Sequence, residues 1–221
     1  MNGEVTEVVE EYLEAIYKLE GKGKTAKTSE LVKWLQVAPG TITNTVERLE
    51  KEGLITHVPY KGVKLTRKGR KIALNVIRRH RLSERLLTDL LQVEWSEAHD
   101  VACKFEHCLS NDVIKKLEKV LGHPKTCPHG NPIPAKNGSI PEEQSQSLTS
   151  LNKREKGIIV KITEEDPDLL RYLEKMKLFP GTLIEVVDKA PFNGPITIRE
   201  SENRHAISHD IASTIQVKRT K

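Results

Sequence analysis

Over the first 121 residues apolar side chains recur at helical spacing, broken once by a short alternating hairpin, and from Gly157 onward they alternate. A chain whose apolar period changes from about 3.6 to 2 cannot be one uniform layer; it builds a helical part and a separate small β part. Over residues 4–20, Val8, Tyr12, Ala15, Ile16 and Leu19 follow the helical period, and Gly21-Lys22-Gly23 stops it. Thr28 or Ser29 can cap a second short helix with Leu31, Val32, Trp34 and Leu35. After a tight turn at Val37-Ala38-Pro39-Gly40, Pro39 can open a third helix, Thr41 to Glu52, with Ile42, Val46 and Leu49 inward and Gly53 ending it. Leu54–Val58 and Val63–Thr66, about Pro59-Tyr60-Lys61-Gly62, read as a hairpin. Helix, turn, helix, hairpin is the order of a winged helix-turn-helix.

A long helix begins near Thr66 and carries Ile72, Val76, Leu82, Leu86, Leu87 and Leu90 before Gln92. Ser96 is expected to cap a helix holding His99 to His107, and Ser110 the next, with Val113, Ile114, Leu117 and Leu121 apolar and Gly122 closing it. This is more apolar surface than a winged helix needs, and a homodimer interface is its economical use, since paired half-sites on DNA match a two-fold protein. Residues 126–156 are rich in Pro, Ser and Gln and read as a linker, mobile in its second half. In this linker Cys127 and His129 make only two ligands, too few for a closed zinc site, and a loop role is expected. Strands at 158–162, 183–187, 196–198, 205–207 and 215–217, with a helix from Pro167 to Lys177, suggest a small SH3-like β-barrel. The expected fold class is mainly α with β: a winged helix-turn-helix over 1–70, a helical dimerisation and metal-binding domain over 71–125, the linker, and the barrel over 157–221.

The 221 residues can bury a real core, and no apolar run approaches the ~18 residues of a membrane span. The N-terminus lacks a basic flank and apolar core of a signal peptide, so the cytoplasm is expected, with no membrane partner. Three cysteines make no disulfide framework and fit thiols or ligands in a reducing compartment. The net charge of +5 says little by itself, but Val58 to Arg81 holds nine Lys/Arg and no Asp or Glu, which suggests an anionic polymer as partner. In a winged helix the third helix enters the major groove of double-stranded operator DNA, N-terminal end first. Pro39, Thr41, Thr43 and Asn44 lie at that end; Asn can pair with adenine and a Thr methyl can meet a thymine methyl. Arg48, Lys61 and Lys64 suit phosphates, which fix register without reading sequence. The plainer reading, that Thr and Asn merely cap and solvate the helix, leaves the basic hairpin unexplained.

The remaining signal is a set of ligand types. On a helix, with His99 at zero, Cys103, Glu106 and His107 fall near about 40°, −20° and 80°, on one side. His80 and Glu84 sit one turn apart, and Glu11 and Glu14 offer two carboxylates three apart. Imidazole, thiolate and carboxylate together suit a divalent transition metal. Any one pair could be a solvated ion pair, but the whole set lies beside residues that should face a core.

With "HRLSERLLTDLL", "HDVACKFEHCLS" and "CPHGNPIP", the chain resembles the diphtheria-toxin-repressor family of dimeric, divalent-metal-activated transcriptional regulators. The order Phe179-Pro180-Gly181-Thr182 resembles domains of ferrous-iron transport proteins and extends the likeness to nearly the whole chain. The resemblance implies two metal sites per subunit: an ancillary site at His80, Glu84 and His99, completed by a barrel carboxylate best matched by Glu164, and an activating site at Cys103, Glu106, His107 and Glu11. Glu11 with Glu14 looks like the manganese-responsive members; Cys103 looks like the iron-responsive ones, and thiolate softness favours Fe(II) over Mn(II). The implied function is a metal-activated regulator, a repressor of metal homeostasis and not an enzyme. Two alternatives stand beside it. A metal-dependent hydrolase would need an open coordination position and a general base in a cleft. A winged-helix regulator with a purely structural metal site is the other.

Overall fold

A computed structural model describes residues 6–21, 25–58, 60–141 and 144–220. The start of the first helix at residue 4, the stop at Lys22-Gly23 and Pro59 in the hairpin turn lie outside the described residues. The chain divides into two compact units, one of residues 1–79 with 134–139 and the other of 80–133 with 140–221.

In the first unit, α1 (Glu7–Gly21), α2 (Thr28–Leu35) and α3 (Pro39–Lys51) precede the antiparallel strands β1 (Ile55–Val58) and β2 (Gly62–Leu65). The helix α4 (Arg67–Arg85) follows and contributes to both units. Leu13, Ile16, Leu31, Ile42, Leu49 and Ile55 are almost wholly buried in one cluster, each such side chain stabilising the fold by roughly 1.5–3 kcal/mol. Pro39 occupies the first turn of α3 as expected, since its missing N–H would be unbonded there anyway. The expected cap of α2 is corrected: Lys27 is the N-cap, and the Glu30 carboxylate accepts from its backbone N–H at 3.2 Å.

The second unit contains the end of α4, which winds on as a π-turn over Leu86–Leu90, then α5 (Ala98–Phe105) and α6 (Asn111–Val120). Ser110 caps α6 by accepting from Val113 N. The single helix expected from His99 to His107 is corrected: it ends at Phe105 and tightens into a 3-10 turn over Glu106–Cys108. Ser96 caps nothing; its hydroxyl lies 2.6 Å from the Glu174 carboxylate. Beyond these come β3 (Gln146–Ser147), β4 (Lys156–Ile162), α7 (Pro167–Lys175), β5 (Leu183–Lys189), β6 (Ile196–Glu200), β7 (Asn203–Ile207), α8 (His209–Thr214) and β8 (Ile215–Arg219). These strands form one six-stranded antiparallel sheet in the order β3-β8-β4-β5-β6-β7, consistent with an SH3-like domain and one strand, β3, more than the five expected.

The expected linker is corrected most. Cys127, His129 and Asn131 are buried, β3 pairs with β8, and Leu148 and Leu151 belong to the core of the sheet. A bulge in β4 at Val160 puts Ile159 and Ile162, three residues apart, both inward.

Candidate metal centre

The last turns of α4 bring His80 and Glu84 inward, 3% and 0% exposed, because Leu82 and Leu87 hold that helix against apolar neighbours. On α5, His99 and Cys103 stand one turn apart, and the 3-10 turn carries Glu106, itself buried, and His107. His80 lies between two groups of donors. Its Nδ1 is 2.7 Å from Glu106 Oε2 and 3.9 Å from Cys103 Sγ. Its Nε2 is 3.0 Å from His99 Nδ1 and 3.2 Å from Glu84 Oε1. Cys103 Sγ is also 3.7 Å from His99 Nε2, and His107 Nε2 is 3.3 Å from Glu106 Oε1.

The loop Thr126–Ile133, which sequence reasoning gave no ligand role, closes the other side. Thr126 bridges Pro132, and Cys127 and Gly130 are held by backbone hydrogen bonds to Asn131 O and Cys127 O. Gly130 has φ +85°, and a Cβ there would collide with the carbonyl of Val160 at the β4 bulge. The loop therefore pairs with the end of β4: Ile162 N donates to His129 O, and Asn131 Nδ2 donates to Ile162 O and to Glu165 Oε1. His129 Nδ1 is 3.1 Å from Glu84 Oε1, with its Nε2 at 3.0 Å from Trp95 O.

Glu84 is the common member. Its Oε1 lies within 3.1–3.5 Å of nitrogens from His80, His99 and His129. Its Oε2 is buried with no hydrogen-bond partner. Three sets of donor atoms in this unit could each hold an ion: His80, His99 and Cys103; His80, Glu84, His99 and Glu165; and Glu84, Cys127, His129 and Glu165. The barrel carboxylate that joins them is Glu165, with Oε2 3.4 Å from His99 Nδ1, and not the expected Glu164, which is in none of them. An orphaned carboxylate oxygen within nitrogen, oxygen and sulfur donors is what a divalent cation would satisfy, so these residues fit a metal.

The electrostatics agree. Burial works against charge on the His80 imidazole, but Glu84, Cys103 and Glu106 outweigh it and raise its pKa well above the ordinary value. His99 is likewise opposed by burial and still raised to about 10 by Cys103, Glu84 and Glu165. Burial would raise Glu84, yet His80, His129 and His99 hold it well below the usual carboxylate range. The Cys103 thiol is lowered by His80 and His99 in spite of burial, whereas burial, Glu84 and Glu165 push the Cys127 thiol up. Without an ion, protons on the imidazoles carry the positive charge that the carboxylates demand.

Of the remaining residues singled out by sequence, Glu11 is half-buried on α1 in the first unit. The Glu14 carboxylate pairs with Lys18 at 3.0 Å, and Glu14 enters none of the donor groups among the described residues. Pro39, Thr41, Thr43, Asn44 and Arg48 are exposed along α3, and Lys61 and Lys64 on the hairpin. The Thr43 hydroxyl donates to Pro39 O at 3.1 Å.

Family models match the chain over three stretches. These are the iron-dependent repressor N-terminal DNA-binding domain at residues 4–63, the metal-binding and dimerisation domain of the same repressors at 66–135, and the FeoA domain at 146–219. The chain is 32% identical to the iron-dependent repressor IdeR of Mycobacterium tuberculosis, with 98% of this chain and 99% of that one covered. It is 30% identical to the diphtheria toxin repressor of Corynebacterium diphtheriae, with 97% and 98% covered. Among solved structures, a manganese-dependent transcriptional repressor in complex with manganese superposes with TM-score 0.86 at 28% identity, covering 96% of this chain and all of that one. ScaR with bound Cd2+ superposes with TM-score 0.84 at 29% identity, over 96% and 99%.

Proposed function

The chain belongs to the iron-dependent repressor family and is a metal-dependent, DNA-binding transcriptional regulator; on that premise we propose that a divalent ion on the buried donor cluster switches it into a homodimer competent to repress from a palindromic operator. The observation that carries this reading is Glu84: fully buried, with three imidazole nitrogens at one oxygen and no hydrogen-bond partner at the other. The relatives are repressors, so the hydrolase alternative has nothing to stand on.

Two ions per subunit are proposed. The activating set is Cys103, Glu106 and His107, to which the family resemblance adds Glu11. The ancillary set is His80, Glu84 and His99 with Glu165, and Cys127 and His129 offer the same two carboxylates a second pair of ligands. Fe(II) is the preferred ion and Mn(II) the alternative. Thiolate softness at Cys103 favours iron, while relatives carry both iron and manganese in their names. Thr41, Thr43, Asn44 and Pro39 read bases, and Arg48, Lys61 and Lys64 hold phosphates. The domains of this reading are a winged helix over 1–70, a metal-binding and dimerisation domain from 71 that extends through the Cys127–Ile133 loop, and an SH3-like domain beyond.

No described helix is long and apolar enough to cross a membrane, and the proposed place of work is the cytoplasm, where the DNA is. An ion that binds the DNA-competent state more tightly shifts the population toward it; a hundredfold preference supplies about 2.7 kcal/mol. The test is an anaerobic DNA-binding titration against Fe(II), Mn(II) and Zn(II), using duplex selected beforehand from random sequence. Affinity is expected to rise with Fe(II) or Mn(II), and Glu11→Ala and His107→Ala should lose that response. Equal affinity in chelator and metal would leave the cluster a purely structural site and overturn the switch.

A further inference from the structure

The apolar contacts of α1 fix how deep it sits, not how far it can slide. Val9, Leu13 and Ile16 are buried in one cluster with Ala73 of α4, and burial of methyl groups has no direction. Register comes instead from two ion pairs within the first unit. Near the start of α1 the Glu10 carboxylate pairs with Arg79 at 2.5 Å, both side chains largely covered, at 12% and 13% exposure. Near its end Glu20 pairs with Arg70 and accepts from Leu65 N at 2.6 Å. The Arg70 guanidinium also lies over the Tyr17 ring, 5.4 Å from its centre. The partners follow in opposite order, so α1 and α4 run antiparallel. Ten residues separate the two glutamates and nine the two arginines, about 15 Å and about 13.5 Å of helix. The spans match, so one register closes both pairs, and a slip of one turn, about 5.4 Å, would open both.

Glu10 stands next to Glu11, the residue of α1 that the proposed function gives to the activating ion. Neighbours on a helix point about 100° apart, so the carboxylate that bonds α4 and the one assigned to the ion leave α1 in different directions. Arg79 and His80 divide α4 in the same way. A metal bond tolerates only about 0.2 Å, far less than a helix can slide on an apolar face. We propose that Glu10 and Arg79 are positioning residues for the activating ion: their pair holds α1 at the register in which Glu11 can reach that ion before the ion arrives. The inference rests on the metal-switch reading above. Once bound, the ion itself ties Glu11, and the pair becomes redundant. Losing the pair therefore raises the metal concentration that the switch needs and leaves the affinity reached at saturation unchanged. The Glu20–Arg70 pair, nine residues from Glu11, serves the fold of the unit.

The test uses the full chain with Mn(II) and a duplex selected by the wild type. It compares wild type, Glu10→Gln, Arg79→Met, the double variant, Arg79→Lys and Glu20→Gln. Glu10→Gln and Arg79→Met should each raise the Mn(II) concentration for half-maximal DNA binding about tenfold, the lower end of what a lost supporting contact costs a metal site. Both should reach wild-type affinity at saturating Mn(II). The double variant should be no worse than either single one, because both act through one pair. Arg79→Lys keeps the charge and should restore most of the response. Glu20→Gln should lower the thermal midpoint of the metal-free protein and leave the Mn(II) threshold in place. Without DNA, the tenfold shift should recur in the Co(II) concentration for half-maximal thiolate charge-transfer absorbance. That titration is read in a Cys127→Ser background, which leaves Cys103 as the thiol among the donor groups of the described residues. Wild-type thresholds in Glu10→Gln and Arg79→Met would overturn the assignment, as would additive losses in the double variant. An equal rise in Glu20→Gln, or a loss of affinity that saturating Mn(II) does not recover, would do the same, since mere destabilisation produces both. A wild type whose DNA binding ignores Mn(II) would overturn the switch itself, a separate and visible outcome.

Discussion

A carboxylate with no solvent access, crowded by imidazoles at one oxygen and without a hydrogen-bond partner at the other, is poorly served in a metal-free chain. Two predictions follow from Glu84 and its neighbours. Glu165→Gln should weaken the ancillary ion by roughly 10–100-fold, the usual cost of disturbing a metal's immediate surroundings, and Glu164→Gln should leave it unchanged; Co(II) absorbance titrations read both. Equal losses would restore Glu164 to the site. The second concerns protons. His99 rises to about 10 in the fold from an unfolded value near 6.5. The raised imidazole holds its proton more tightly when folded, so its stabilising effect is complete below about pH 6.5 and is lost as pH climbs through 10. Metal-free protein should therefore need less urea to unfold at pH 9.5 than at pH 6.5 on this account, while metal affinity rises over the same window because ions must displace those protons. Calorimetry in buffers of different ionisation enthalpy should register proton release at pH 7, and buffer-independent heats would refute it.

Secondary elements were legible where one period ruled a segment. Pro39 opening α3, Ser110 capping α6 and the alternating strands at β5, β6 and β8 all lie where local chemistry decides. The helix over His99–His107 was misread because ligand spacing alone does not reveal that the turn tightens after Phe105; the i, i+4 placement of His99 and Cys103 survives that change, and the positions of Glu106 and His107 are set by the tighter turn. The donors set aside are instructive. Cys127 and His129 looked like a loop because two ligands are not a site, and the two carboxylates that join them stand 43 residues before Cys127 and 36 after His129 in sequence. What seats them is the bulge at Val160, which hydrophobic alternation does not announce. Thr163–Glu165 lie beyond β4, where alternation no longer governs, so Glu164 and Glu165 could not be told apart. The seat itself is testable: Gly130→Ala combines a positive φ with a collision against Val160 O, and should cost roughly 1–3 kcal/mol in urea denaturation of the metal-free protein. It should also displace Cys127 and His129, removing any thiolate-to-Co(II) charge transfer that Cys103→Ser leaves behind. Full stability with unchanged spectra would mean the loop is not held there.

At the scale of the molecule, the apolar surface left over is the remaining clue. Val101 and Phe105 share one side of α5, Val113 and Val120 one side of α6, and all four are exposed, between 38% and 69%. These residues add nothing to the core of a single chain, and a second copy is the partner that the dimerisation domain of this family supplies. A DNA reader with paired half-sites gains its affinity from both heads together, so loss of pairing should be felt at the operator even though no DNA contact has been touched. Val101→Asp or Val113→Asp introduces a charge that must be desolvated if the face is covered. In sedimentation runs with Mn(II), such variants should shift from dimer to monomer mass, and operator affinity should fall by about tenfold or more, as expected when a bivalent contact becomes monovalent. Co(II) absorbance of the ancillary set should persist, because His80, Glu84, His99 and Glu165 all come from one chain's second unit. A variant that remained dimeric and kept its operator affinity would show that this face is not where the copies meet.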